Sequence, residues 1–135
     1  MKQFVIGLMC FVLAGVLCGC SVETSSTEKL RDLEFTVMQK EDIPEEMKAT
    51  IEQKQKEPFK ITYGDQNYLY IAQGYGEQQT SGYSIEVKEC YETKNAIYVH
   101  MNLSGPSKEE NIKEATTCPY IVIKLEYSDK SVVFE

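Results

Sequence analysis

The feature that most limits how this chain can fold is a two-residue alternation that returns three times in its second half. Tyr83, Ile85 and Val87 alternate with Ser84, Glu86 and Lys88; Ile97, Val99, Met101 and Leu103 alternate with polar neighbours; and Ile121, Ile123 and Leu125 repeat the pattern. A period of two places alternate side chains on opposite faces of a strand, so each segment reads as a β-strand with one buried face. Between them lie turn-forming clusters, Glu92–Asn95 and Ser104-Gly105-Pro106-Ser107, which punctuate the strands. Further strands are expected at about 33–39, where Leu33, Phe35 and Val37 alternate, and at Phe59–Tyr63, Tyr68–Gln73 and Ser131–Glu135. Lys108–Thr116 is charged, with only Ile112 and Ala115 apolar, and reads as a loop or a single helical turn.

One segment has a different period. From Ile43 to about Glu57 the apolar residues Ile43, Met47 and Ile51 recur every four positions in a background of Glu, Lys and Gln. That spacing draws one narrow stripe along a helix. Asp42 and Glu45 suggest a capping box at its start, and Glu57-Pro58 ends it because a residue before proline disfavours the helical region. A helix this polar covers one face of a sheet. Six or seven short strands and one amphipathic helix near the N-terminus predict a mainly β (α+β) domain, a compact antiparallel sheet or sandwich over residues 31–135.

The first 19 residues have another role. Lys2 precedes an uncharged apolar run, Phe4–Leu17, which has the length of a secretory core and is short of the roughly 20 residues that span a membrane. Leu17-Cys18-Gly19-Cys20 follows and resembles the bacterial lipobox. The resemblance implies a lipoprotein signal peptide at 1–19, cleavage before Cys20, and diacylglycerol and palmitate on Cys20. Each buried methylene is worth about 0.8 kcal/mol, so several acyl chains hold a protein at a membrane where one does not. Residues 20–30, polar and small after the cysteine, read as a flexible linker. The expected location is the outer face of the cytoplasmic membrane, or the outer membrane if the source has one.

Cleavage there removes one base and no acid, taking the formal charge from −7 to −8. An acidic surface of this kind repels nucleic acid. Of the five cysteines, Cys90 and Cys118 remain in the domain. Both fall on the polar parity of their strands, which makes them candidates for a disulfide whose closure would stabilise by roughly 3 to 4 kcal/mol.

No catalytic set emerges. His100 falls on the polar face of its strand with no partner in its pattern, and zinc needs three or four ligands. The acidic pairs Glu45-Glu46 and Glu109-Glu110 lie on a helix and a loop without an opposing carboxylate. Gly74-Tyr75-Gly76 precedes a strand and carries no base before Gly82, unlike a phosphate-binding loop. No metal and no cofactor are therefore expected. The remaining features suit recognition. Tyr75, Gln79, Thr80, Ser81, Gly82 and Tyr83 offer adaptable hydrogen bonds around tyrosine anchors, and Pro119 and Tyr120 form a second short loop.

Gly74, the Thr80-Ser81-Gly82-Tyr83-Ser84-Ile85 turn, Val99, Pro106 and Pro119-Tyr120-Ile121-Val122 resemble the C-terminal domain of the protease complex subunit PrcB family, over about residues 68–134. Ser81 stands where that family often has glycine. The resemblance implies a non-enzymatic lipoprotein that binds and stabilises an exported protease or another envelope protein. Gln79–Tyr83 and Cys118-Pro119-Tyr120 also echo two loops of chagasin-type peptidase inhibitors, although the Asn-Pro start and the arginine of that pattern are missing. That likeness implies an inhibitor as the alternative, and a structural envelope lipoprotein is a third reading.

Overall fold

The computed structural model describes residues 28–108 and 112–135. The leader, Cys20, most of the linker and the Glu109-Glu110 pair lie outside the described residues. Among the described residues, eight strands form two four-stranded sheets. One sheet has the order β1-β5-β6-β8, from Lys29–Asp32, Ser84–Thr93, Ala96–Ser104 and Ser131–Phe134. The other has the order β2-β7-β4-β3, from Thr36–Val37, Tyr120–Glu126, Tyr68–Tyr75 and Pro58–Gly64. Every pairing is antiparallel except β6 with β8, which is parallel.

The sheets face each other across a core of Leu69, Ile71, Cys90, Ile97, Val99, Met101, Ile121, Ile123 and Leu125. A second core covers the outer face of the β4–β7 sheet. There Ile43, Met47 and Ile51 press on Phe59, Tyr70, Ala72 and Val122, so the stripe spaced by four does cover a sheet face. Strands β4 and β7 thus contribute alternate residues to two cores, which is why YLYIAQGY and YIVIKLE are nearly apolar throughout. Strands β5 and β6 keep one face in water and alternate over Ser84–Val87 and Val99–Leu103.

Three expectations change. The strand expected at 33–39 is not continuous: β1 already includes Lys29 and Leu30 of the expected linker, the chain then crosses between sheets at Leu33–Phe35, and β2 is only Thr36–Val37. That crossing raises the count to eight and leaves Phe35 and Val37 exposed. Asp42 is not a helix cap. It closes a 3-10 turn, Lys40–Asp42, while Ile43 is extended and Pro44 caps helix α1, Glu45–Lys54, without a side-chain bond. Proline at the cap excludes the residue before it from the helix, so α1 starts two residues after Ile43.

The third change concerns the cysteines. A bulge between Val87 and Glu89 shifts the register of β5 on β6 and reverses the parity beyond it. Without it Glu89 would point into the core; with it Cys90 does, only 5% exposed. Both thiols are free: Cys90 sits between the sheets, and Cys118 lies half-buried just before β7.

Candidate functional site

The turn between β4 and β5 is built outward from Gly74. A Cβ there would lie 2.1 to 2.7 Å from the Phe59 ring on the neighbouring strand, so only glycine lets that ring close over the sheet. Gly76 then turns the chain at φ 78°, where a Cβ would also meet Pro58 and the Lys56 carbonyl. The Glu77 amide donates to that carbonyl at 3.1 Å. Gly82 reverses the chain into β5 at φ 91°, a left-handed conformation that residues with a Cβ rarely adopt.

The loop between these glycines is fastened to the segment leading into β7. Gln78 and Thr117 exchange main-chain hydrogen bonds of 2.8 and 2.9 Å as an isolated antiparallel bridge. The Thr117 hydroxyl donates to the Thr80 carbonyl at 2.8 Å. The Ser81 amide donates to the Lys113 carbonyl at 3.0 Å, and the Lys113 amide donates back to Ser81 Oγ at 2.9 Å. The Tyr75 amide bonds the Pro119 carbonyl at 3.1 Å. The two segments picked out by their composition therefore form one ridge that projects from the end of the sandwich.

Beside the ridge runs a groove of about 700 Å³ lined by Ser81, Gly82, Tyr83, Pro119 and Tyr120, together with Ile85 and Cys118. Five of the eight expected contact residues thus share one surface. Gln79 is exposed at the tip, and Thr80 is half-buried and spent on anchoring. Tyr75 is separate: it ends β4, and its hydroxyl is buried in a recess with Gln73, away from the groove. Burial raises the Tyr75 phenol above its ordinary range. Neither Gln73 Oε1 nor Tyr75 Oη has a hydrogen-bond partner among the described residues.

Tyr120 belongs to two surfaces. Its ring lies 6.4 Å from Phe59 in the outer core, and Lys40 Nζ stands 5.8 Å from the ring centroid. Burial, with Glu52 nearby, raises its phenol. Val37, Lys40 and Gln55 also line the groove. Nothing in their local pattern pointed there, since long-range packing alone brings them to β7. Thr117, in contrast, lies immediately before the Cys118-Pro119-Tyr120 loop.

Cys90 is pushed up to about 11 by burial, with Asp32 adding to it, which keeps it a neutral thiol at physiological pH. His100 is exposed and lies across from Glu89. Among the described residues no group of three or more His, Cys, Asp or Glu is placed to hold a metal ion, and no helix is long and apolar enough to cross a membrane.

Residues 69–126 match the family model described as PrcB C-terminal. The match opens at the second residue of β4 and closes at the last of β7, spanning the ridge and both strands that feed the two cores; β8 lies outside it. No curated protein and no solved structure matches the chain. From the strand that carries Gly74 to the end of the strand that follows Pro119-Tyr120, the chain is similar to the PrcB C-terminal family.

Proposed function

We propose that this protein is a non-enzymatic accessory subunit, tethered to a membrane by lipid on Cys20, that binds and stabilises an exported protease. The observation that carries the reading is the family match over 69–126 together with the ridge inside it. Its main-chain bonds between Gln78 and Thr117 hold Ser81, Gly82, Tyr83, Pro119 and Tyr120 in place before any partner arrives, which lowers the ordering cost of association. Tyrosine and short polar side chains on a fixed loop suit protein recognition.

A photo-crosslinking amino acid in place of Gln79, in cells, tests it. Capture of one exported peptidase supports the accessory role, and capture of no envelope protein counts against it. Mass spectrometry of the N-terminal peptide tests the tether: the expected species begins at acylated Cys20, and an unmodified cysteine would exclude the anchor. The juxtaposition of an exposed Gly82 with Pro119-Tyr120 also favours a second reading, a chagasin-like inhibitor. Stoichiometric inhibition of a papain-like peptidase, lost in Gly82→Glu, would select it.

A further inference from the structure

Strand β5 is covered along only part of its outer edge. On the side away from β6, β1 pairs with Tyr91, Glu92 and Thr93, and the Leu33 amide bonds the Cys90 carbonyl. There the chain leaves for the other sheet. Among the described residues no strand pairs with Ser84–Glu89 on that side. Alternate N–H and C=O groups of this stretch therefore face outward, as in any edge strand. The bulge and Lys88 interrupt the lower end, two devices that discourage pairing. Ser84–Val87 remains regular, with register Ser84↔Ser104 to Val87↔Met101. It begins at the ridge, where Ile85 lines the groove.

We propose that Ser84–Val87 accepts an extended segment of the partner protein as an added strand, apolar at alternate positions with a basic residue between them. This rests on the accessory reading above and specifies how the partner is held. The chain's own first segment shows what that edge accepts. Leu33, the residue after β1, bonds the Cys90 carbonyl and packs on the inter-sheet core, while Arg31 on β1 reaches Glu92 at 2.5 Å. Further along the edge, Ile85 and Val87 pack on the same core but stay half-exposed, so inward side chains of an added strand would complete their cover. Outward ones would meet Glu86 and Glu89, the former paired with Lys88 at 2.7 Å. The excess of acid along this edge matches the formal charge of −7 and selects a basic partner. Main-chain bonding supplies affinity and the alternate pockets supply selectivity, the usual logic of strand addition.

The test uses the full chain and an acetylated valine-lysine-valine-arginine-valine amide as probe, read by hydrogen exchange. Exchange in fragments covering 84–87 is expected to slow at least tenfold with the probe and to be unchanged when its alternate nitrogens are methylated. No slowing there, or slowing at the open edge of β3 instead, overturns the proposal. The complex captured through position 79 separates the two readings. A captured peptidase with exchange at 84–87 unaltered removes strand addition and leaves the accessory role; protection by the probe without any capture supports strand addition and removes that role.

Discussion

Gly74 shapes the sheet through the side chain it lacks. Its hydrogen faces the ring of Phe59, and a methyl group in that position would overlap ring carbons. Gly74→Ala is expected to cost about 2 kcal/mol, within the range for overpacking a core. Phe59→Leu should recover part of that loss in the double variant, and urea unfolding of the four chains measures the coupling. Cys90 illustrates the opposite case, a reactive side chain made inert by position. With its thiol pushed up to about 11, it should be alkylated at pH 8 at least tenfold more slowly than half-buried Cys118, and denaturant should abolish the difference. Equal native rates would mean that the bulge does not turn Cys90 inward. The glycines and the loop composition were readable residue by residue because turns are local chemistry. The direction of Cys90 was not, because one extra residue in a strand reverses parity. The one hint was Glu89, which unbroken alternation would have buried.

At the scale of elements, Glu92 ties the edge of one sheet together. It accepts from Arg31 Nε on β1 at 2.5 Å and from Lys130 Nζ at 2.9 Å, and Lys130 also bonds the Thr93 carbonyl. The hydrogen bonds from Arg31 and then Lys130 hold the Glu92 carboxyl below its ordinary value. A carboxyl lowered in the folded state contributes stability above its unfolded pKa and loses it as pH falls through the folded one. Glu92→Gln should therefore lower stability by about 1 kcal/mol at pH 7, and the gap to the parent should close as pH drops below about 4. Denaturant titrations at pH 7 and pH 3 measure both. The helix buries the stripe its spacing implies, whereas its start does not follow the capping-box spacing of Asp42 and Glu45: Pro44 between them sets the boundary. A local motif yielded to a stronger local constraint.

Over the whole molecule, β4 and β7 join the two cores. Ile71 and Ile123 face the other sheet, while Ala72 and Val122 face the helix. Loss of either strand would empty both cores, so the protein is expected to unfold in one step. Far-UV dichroism, reporting the sheets, and the fluorescence of a single tryptophan introduced by Tyr63→Trp beside the helix, in a chain that has no other tryptophan, should give coincident urea transitions; separate midpoints would mean that the helical layer melts alone. Ile123→Ala, at a position with no exposed surface, should cost about 3 to 4 kcal/mol and shift both signals together. The residue order by itself determined the strand-rich class, the helix with one apolar stripe and the glycine-framed turn, because periodicity and turn chemistry act over a few positions. Only the tertiary structure decided that the chain changes sheets at Leu33–Phe35, that β8 runs parallel to β6, and that two distant loops close into one ridge above a half-open strand. Those outcomes depend on which edges remain unpaired after the sheets pack, and no short window of sequence contains that information.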